Sequence, residues 1–230
     1  MAFSHSPKIV TDGLVLCLDA ADKNSYPGSG TTWSDLSGEG NHLTLYNTVP
    51  WSNTNQGGCF TFDGANDYAG RANANCSQTL KGTGAGFTTV FVFESLDSQI
   101  TWGHLFGFGD GDANIDMWQN PTNRFYNNNN FTLLGTLDLY GGGINMWTAT
   151  YVPGEGILYH NGNVMHTNAV ATAINTSPAS DFCISNRPET ASPPGYPTNI
   201  NVYSLAVYNR VLSAKEVSQN FNAHRSRFSI

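Results

Sequence analysis

Charged residues are scarce in this sequence, and basic residues most of all. Only 12% of the 230 residues are charged, and 10 lysines and arginines stand against 17 acidic residues, which gives a formal net charge of −7. Affinity for nucleic acid depends mostly on clustered lysine and arginine side chains. The scattered basic residues therefore argue against a nucleic-acid partner.

Long apolar runs are also missing. The N-terminal stretch MAFSHSPKIVTDG has neither the basic start nor the apolar core of a secretion signal, and no later segment reaches the length of a membrane-spanning helix. We therefore expect neither a cleaved leader nor insertion into a membrane.

Zinc-binding and redox motifs are absent as well. Cys17, Cys59, Cys76 and Cys183 include no CxxC pair, and no two histidines have ligand spacing on one element. This gives no support for a zinc site. Three of the cysteines lie in strand-like runs where a small buried thiol is ordinary, and the sequence leaves both free thiols and disulfides open.

Glycine, asparagine, threonine and serine are frequent between short apolar runs, and 24 residues are glycine. Many short apolar runs joined by turn residues predict an all-β protein. The length suits one β-sandwich, and no shift in composition or internal repeat divides the chain. We therefore predict a single domain over residues 1–230, with an N-terminal arm at residues 1–12.

Several strands and turns can be placed from these runs. Residues 13–19, GLVLCLD, predict a strand buried on both faces, and residues 86–93, GFTTVFVF, give the strongest strand signal in the chain. Asn161 and Gly162 are typical of a tight hairpin turn. Residues 124–131 contain four consecutive asparagines, whose side chains compete for backbone hydrogen bonds, so we predict an exposed loop there.

The C-terminal segment predicts a strand followed by a helix. Residues 202–208 alternate like a half-buried strand, which places odd-numbered and even-numbered residues on opposite faces. Ser213 and Glu216 have the spacing of a capping box, which marks the start of a helix. We predict a helix over residues 213–223 that covers an edge of the sheet.

These features occur within a set of short motifs that runs nearly the length of the chain. The motifs are Gly13-Leu-Val-Leu-Cys-Leu-Asp-Ala20, Ser25-Tyr-Pro-Gly28, Thr32-Trp-Ser-Asp-Leu-Ser-Gly38 with Asn41, Phe60-Thr-Phe-Asp-Gly64 with Asp67-Tyr68, Trp147-Thr-Ala-Thr-Tyr151, Leu158-Tyr-His-Asn-Gly162, and Val207-Tyr-Asn-Arg-Val-Leu-Ser213 with Glu216. Together they resemble a laminin-G-like domain of the concanavalin A-like superfamily. The resemblance implies a two-sheet antiparallel jelly-roll sandwich whose first and last strands lie side by side. It leaves function open, because the superfamily includes lectins, adhesion modules, glycanases and structural domains.

The closing segment resembles a narrower group of proteins. Gln219-Asn-Phe-Asn-Ala223, followed by Arg225 and by Arg227-Phe228, is similar to a pattern in structural proteins of tailed bacteriophages, especially marine and cyanobacterial ones. This second resemblance implies that the protein is part of a virion.

A glycanase on this scaffold needs two carboxylates that flank the glycosidic bond. The hydrolases of the family usually carry them on one strand as Glu-x-Asp-x-Glu. This pattern does not occur, and the glutamates are isolated from other acids at such spacing. We therefore predict that the protein is not an enzyme.

One polar cluster has the spacing of a calcium site, and its residues are Asp110, Asp112, Asn114 and Asp116. On an extended segment their alternation would crowd three carboxylates onto one side, and calcium would relieve the repulsion. Ile115 and Pro121 stand where an EF-hand loop needs glycine and glutamate, which excludes that motif. Calcium at the rim of the sandwich and a solvated turn both remain open. A weaker candidate, Asp63 with Asn66 and Asp67, is explained by turn chemistry alone.

Sugar binding needs an aromatic ring for stacking beside groups that form hydrogen bonds. The candidate ligand-binding residues are Trp102, Trp118, Tyr126, Asn127 and Asn128. Trp33, Trp51 and Trp147 are assigned to core packing instead.

From these observations we predict a non-enzymatic surface or structural protein of a tailed-phage virion, in a capsid decoration or in a tail or fibre. It would dock onto other virion proteins and adhere to host-surface polysaccharide. The alternative is a lectin-like module with calcium at its rim, and a glycanase has the least support. A homo-oligomer is compatible with the sequence, and calcium is the one cofactor considered.

Overall fold

Two antiparallel sheets pack face to face. The computed structural model describes residues 7–71, 86–96, 103–109, 115–119, 124–127, 130–132, 143–168, 181–186 and 195–230. The strands are β1 (Leu14–Asp19), β2 (Thr32–Trp33), β3 (Leu43–Tyr46), β4 (Trp51–Ser52), β5 (Cys59–Asp63), β6 (Tyr68–Arg71), β7 (Phe87–Ser95), β8 (Gly103–Gly109), β9 (Ile115–Gln119), β10 (Arg124–Asn127), β11 (Asn130–Thr132), β12 (Ile144–Val152), β13 (Glu155–His160), β14 (Asn163–Asn168), β15 (Asp181–Ile184) and β16 (Asn199–Tyr208). A helix, α1, spans Ala214–Phe228.

The strands form two sheets, which we name the back sheet and the front sheet. The back sheet has the order β14, β13, β12, β7, β16, β5, β4, with β1 also paired to β16. The front sheet has the order β11, β10, β9, β8, β15, β6, β3, β2. The predicted two-sheet antiparallel sandwich with a C-terminal helix is therefore confirmed.

The space between the sheets is filled largely by aromatic side chains. Phe91 of the back sheet meets Phe106 of the front sheet edge-on, with ring centroids 5.1 Å apart. Trp33 and Trp147 are buried, and the partly buried Trp51 packs against the same core. The assignment of these three tryptophans to packing is confirmed.

β16 lies in the middle of the back sheet. It pairs with β7 along one side, and with β5 and then β1 along the other. The predicted pairing of the first and last strands is therefore confirmed. A shift in register at Tyr203 breaks the predicted odd-and-even alternation, because Val202 and Leu205 both belong to the core between the sheets. Such a bulge inserts one residue and resets which side chains share a face.

The start of α1 agrees with the prediction, but its end does not. The Ser213 side chain accepts from the Glu216 amide, and the Glu216 carboxylate accepts from the Ser213 amide at 2.8 Å. The helix continues to Phe228 rather than ending at residue 223, because no glycine or proline interrupts it and Phe228 is buried against the sheet. No helix in the described residues is long and apolar enough to cross a membrane.

α1 covers the outer face of the back sheet, meaning the face away from the front sheet, and not an edge as predicted. Val217 and Phe228 of α1 pack in one apolar cluster with Val92, Tyr203 and Tyr208. The rings of Tyr203 and Phe228 have centroids 5.3 Å apart. This second core explains why most of β7 is buried on both faces.

The predicted N-terminal arm is joined to α1 in its described part. The Val10 amide donates to Asn220 Oδ1 at 2.8 Å, and the Val10 carbonyl accepts from the Tyr208 hydroxyl at 2.9 Å. Gln219 Nε2 donates to the Lys8 carbonyl at 2.8 Å. Residues near the two chain ends therefore hold each other against the back sheet.

Two local predictions had different outcomes. The hairpin between β13 and β14 is confirmed, with φ of 47° at Asn161 and 77° at Gly162, the left-handed values that a tight turn requires. The exposed loop predicted over residues 124–131 was wrong, because β10 and β11 lie within that range and pair with each other. Cross-strand partners outweigh the local preference of asparagine for turns.

The thiols of the described cysteines form no disulfide with one another. Cys59 and Cys183 are buried, and Cys17 is partly exposed. Burial, and then the nearby carboxylates of Asp19 and Asp35, raise the pKa of the Cys17 thiol to about 12. This thiol therefore stays protonated at neutral pH.

Candidate functional site

A row of residues crosses the front sheet from β3 to β11. Cross-strand pairing aligns Thr44, Gly70, Cys183, Gly107, Asp116, Tyr126 and Phe131 in this order. We name this set the cross-sheet row. Residues opposite each other in a ladder share one face of the sheet. Leu43 and Leu45, on either side of Thr44, belong to the core, so the row lies on the outer face of the front sheet.

The described members of the predicted sites lie at the β9 and β10 end of this row. Asp116, from the calcium candidate, pairs directly with Tyr126, from the sugar candidate. Trp118 pairs with His104 on β8, and Asn127 follows Tyr126 on β10. The backbone thus places Asp116 beside Tyr126, and the binding roles of these residues stay predictions. The remaining predicted site residues lie outside the described ranges, and they are Trp102, Asp110, Asp112, Asn114 and Asn128.

The middle of the cross-sheet row is built from small residues. Gly70 and Gly107 flank Cys183, which is buried. A Cβ added at Gly70 would lie 3.1 Å from Cys183 Sγ and 3.3 Å from the Phe182 carbonyl oxygen, so this position has little room for a side chain. Glycine within a strand often marks a site where a ligand or another backbone comes close. Gly70, Cys183 and Gly107 are all buried, whereas Thr44 at the β3 end of the row is exposed.

A stacked pair of tyrosines borders the small residues. Tyr46 of β3 pairs with Tyr68 of β6, and their rings lie 4.4 Å apart at an angle of 9°. Tyr46 is 40% exposed, whereas Tyr68 is 8% exposed. The inner ring therefore supports the outer ring, which presents a fixed aromatic surface to solvent. Sequence reasoning missed this pair, although Tyr46 has the outward position in the alternation of β3 and Tyr68 lies in a family motif.

A buried carboxylate lies next to this pair. Asp67 is 4% exposed, and burial, followed by the charge of Asp63, raises its pKa to about 6. Burial acts to raise the pKa of Asp63 too, but hydrogen bonds from the backbone amides that follow it lower that pKa. Asp63 Oδ1 accepts from the amides of residues 65, 66 and 67. This turn geometry accounts for the weaker calcium candidate without a metal.

Other half-buried carboxylates hold the fold. Asp35 accepts from three backbone amides, and Asp19 pairs with Arg227 at 2.7 Å. A hydrogen bond from Arg210, followed by bonds from the helix cap, lowers the pKa of Glu216 to about 2. Across the described ranges, no group of three or more His, Cys, Asp or Glu side chains could hold a metal ion. These three carboxylates are therefore committed to structural contacts.

Part of the chain matches the model of a known protein family. A laminin-G model, described as the concanavalin A-like lectin/glucanases superfamily, matches residues 63–218. A comparison with curated proteins gives no match. The family match covers more than half of the chain and includes the Asp63 turn, Tyr68 and the start of α1.

Solved structures share the fold over almost the whole chain. Trypanosoma rangeli sialidase in complex with sialic acid has a TM-score of 0.67 at 18% identity, covering 99% of this chain and 37% of that one. The binding domain of botulinum neurotoxin serotype D has a TM-score of 0.68 at 13% identity, covering 92% of this chain and 52% of that one.

Botulinum neurotoxin type C, described as dependent upon interaction with two ganglioside molecules for entering cells, has a TM-score of 0.69 at 15% identity. The alignment covers 93% of this chain and 52% of that one. The chain thus spans between 37% and 52% of the length of these three structures. At such low identity the likeness concerns the fold.

Proposed function

Because this chain belongs to the concanavalin A-like lectin/glucanases superfamily, we propose that it binds carbohydrate without cleaving it. The proposed binding surface is the outer face of the front sheet, at the exposed β3 end of the cross-sheet row. The observation that carries the proposal is the Tyr46 ring, 40% exposed and stacked on Tyr68 beside the small residues Gly70 and Cys183. An exposed aromatic ring that is supported by a second ring suits the apolar face of a pyranose.

The exposed Tyr46 and the predicted ligand residue Tyr126 lie far apart on the front sheet. Tyr46 lies on β3, and the predicted ligand residue Tyr126 lies five strands away on β10. Neighbouring strands are about 4.8 Å apart, so the two residues are separated by about 24 Å across the sheet. Gly70, Cys183 and Gly107 lie between them and are buried, so the proposed sugar contact is at Tyr46.

The state of the carboxylates supports binding without hydrolysis. A retaining glycanase needs a nucleophile and an acid about 5 Å apart with both groups available to the substrate. The charge of Asp63 helps to raise the pKa of Asp67, but Asp63 is committed to three backbone amides and Asp67 is 4% exposed. This pair is poorly suited to attack a sugar. The described residues therefore favour a binding role.

The ligands named for two of the structural relatives agree with this proposal. The sialidase is in complex with sialic acid, and the type C neurotoxin interacts with ganglioside molecules. Both ligands carry sugar. We extend this class of ligand to the present chain as part of the proposal, and no individual sugar is inferred.

We also propose a place for this binding activity, on the virion surface of a tailed bacteriophage, where the protein docks onto other virion proteins. The support is the similarity of the segment 219–228 to phage structural proteins. In this structure, Asn220, Arg227 and Phe228 from that segment hold α1 against the back sheet and the N-terminal segment. Mass spectrometry of purified virions that encode this chain is expected to detect it, and its absence would contradict the location.

Glycan-array binding would test the carbohydrate proposal. Tyr46→Ala should weaken binding about tenfold, the equivalent of one aromatic contact. Met165→Ala is the matched control, because Met165 is 46% exposed and lies on β14 at an edge of the back sheet. Equal binding by both variants would contradict the proposed face.

Two further measurements would separate the alternatives. Loss of binding in a chelator would favour the module with rim calcium, for which Asp110, Asp112, Asn114 and Asp116 are the predicted ligands. Release of reducing sugar by the native protein would contradict the non-catalytic part of the proposal, and unchanged substrate is the expected result.

A further inference from the structure

A cavity of about 200 Å³ lies beneath α1, on the opposite side of the molecule from the proposed carbohydrate face. Its floor includes two cross-strand pairs, Cys17 with Ala206 and Asp19 with Ser204. α1 forms one wall of the cavity, and apolar side chains of the N-terminal segment and of β7 also line it. The cavity therefore has a defined position between the two ends of the chain and the back sheet.

The lining of the cavity includes a hydroxyl group that has no partner among the described residues. Ser204 is 6% exposed and lines the cavity, yet its side chain forms no hydrogen bond with any described residue. The Ser204 oxygen touches the space of the cavity and is not enclosed by protein atoms, so a bound molecule can reach it. The other buried polar residue of the lining, Asn220, has both side-chain atoms bonded, to Val10 and Tyr208. Ser204 thus differs from its surroundings in having a free hydrogen-bonding group.

The charges that line the cavity have one sign. Asp19 and Asp22 are in the lining, and no lysine or arginine is. Asp19 is balanced by Arg227, whereas Asp22 uses only Oδ1, which accepts from Asn24. The second oxygen of Asp22 is therefore available at the mouth of the cavity. The surroundings favour a bound positive charge.

His224 adds an acceptor and not a second cation. Its Nδ1 lies 2.7 Å from the Asn220 carbonyl oxygen, which can only accept, so Nδ1 carries the proton. Burial lowers the pKa of His224, although the Asn220 carbonyl and Asp19 act to raise it. The imidazole is therefore neutral at pH 7, and its Nε2 is an acceptor. Arg227 acts to lower this pKa, and Cys17, Asp19, Asp22 and Tyr208 are the other titratable groups that line the cavity.

We propose that this cavity is a binding site for a small organic cation, namely a primary ammonium ion with a short apolar chain. The ammonium group donates its hydrogens to the free oxygen of Asp22 and the hydroxyl of Ser204, with Nε2 of His224 as a third acceptor. The apolar chain lies against Ile9 and Val90. This site is separate from the carbohydrate face and does not depend on the function proposed for that face.

NMR titration of the ¹⁵N-labelled full chain with n-butylammonium chloride would test the proposal. n-Butanol is the neutral control of the same shape, and sodium chloride at equal ionic strength controls for screening. We expect saturable shifts of the Cys17, Asp19 and Ser204 amides with the ammonium ion only. Equal shifts with butanol, or no saturable shift at these amides, would overturn the proposal.

Two variants locate the site within the cavity. Asp22→Asn keeps the oxygen that accepts from Asn24 and removes the charge, and it should raise the Kd for n-butylammonium about tenfold. Ser204→Ala should have an effect of similar size, and it provides the test if the first variant does not fold. Glu155→Gln is the matched control, because it removes one charge from an exposed residue of β13. Unchanged Kd values in both cavity variants would refute the assignment.

Discussion

Replacing Asn220 by alanine should loosen the contact between the N-terminal segment and α1. Asn220 is 1% exposed, its Oδ1 accepts from the Val10 amide at 2.8 Å, and its Nδ2 donates to the Tyr208 hydroxyl at 3.1 Å. The Tyr208 hydroxyl in turn donates to the Val10 carbonyl at 2.9 Å. Three buried polar groups therefore satisfy one another and join residues 210 positions apart in the chain.

The magnitude follows from which groups lose a partner. In Asn220→Ala the Val10 amide stays buried without an acceptor, which costs about 1–3 kcal/mol. The Tyr208 hydroxyl keeps its bond to Val10 but loses the one from Asn220, a net cost of about 1 kcal/mol. The free energy of unfolding should therefore fall by about 2–4 kcal/mol. For a domain of this size the melting temperature should fall by about 5–15 °C.

Urea unfolding followed by tryptophan fluorescence would measure this change. Asn222→Ala is the matched control, because the Asn222 side chain on the same helix bonds only to Ser218 Oγ at 3.4 Å, on the exposed side. We expect the control to lose less than about 0.5 kcal/mol. Hydrogen exchange at the Val10 amide should also accelerate in Asn220→Ala alone. Equal loss of stability in the two variants would refute the reasoning.

Two other predictions concern the pH dependence of stability. Arg210, and then the helix cap, lower the pKa of Glu216 from 4.5 to about 2, so its contribution to stability is present above pH 4.5 and is lost as the pH falls towards 2. Glu216→Gln should therefore lower the unfolding free energy by about 1 kcal/mol at pH 7 and by much less at pH 2.5. An equal decrease in unfolding free energy at both pH values would contradict this prediction. Burial, and then Asp63, raise the pKa of Asp67 from 3.8 to about 6, so its favourable contribution is present below pH 3.8 and is lost as the pH rises through 6. Asp67→Asn should raise the unfolding free energy by about 1–2 kcal/mol at pH 8 and change it little at pH 4. Urea titrations in which this variant is destabilised, and more so at pH 8 than at pH 4, would count against this account.

Features that depend on neighbouring residues were predicted well. The capping box of Ser213 and Glu216 and the hairpin at Asn161 and Gly162 occur as expected, because each is set by backbone preferences and bonds within four residues. The pairing of β1 with β16 came from the family resemblance. These features depend on residue patterns that can be recognised in the sequence without knowledge of the fold.

The errors involve partners that are distant in the chain. α1 extends to Phe228 because its last turn packs on the back sheet and Arg227 pairs with Asp19, 208 residues away. Arg124–Asn127 and Asn130–Thr132 form strands because β9 supplies a partner for β10, and β10 a partner for β11. In both cases long-range bonds outweigh local preference, and a local pattern contains no information about them.

The candidate sites show the same division. The sequence by itself determined the sandwich, the capped helix and the residue types available for binding, because alternation, turn chemistry and capping act over a few residues. Only the tertiary structure placed Tyr46 on Tyr68, Asp116 opposite Tyr126, and Ser204 beside Asp19 in a cavity beneath α1. Each of these neighbours comes from the register between strands and from the side of the sheet that the helix covers. Those choices are fixed by the packing of the whole chain.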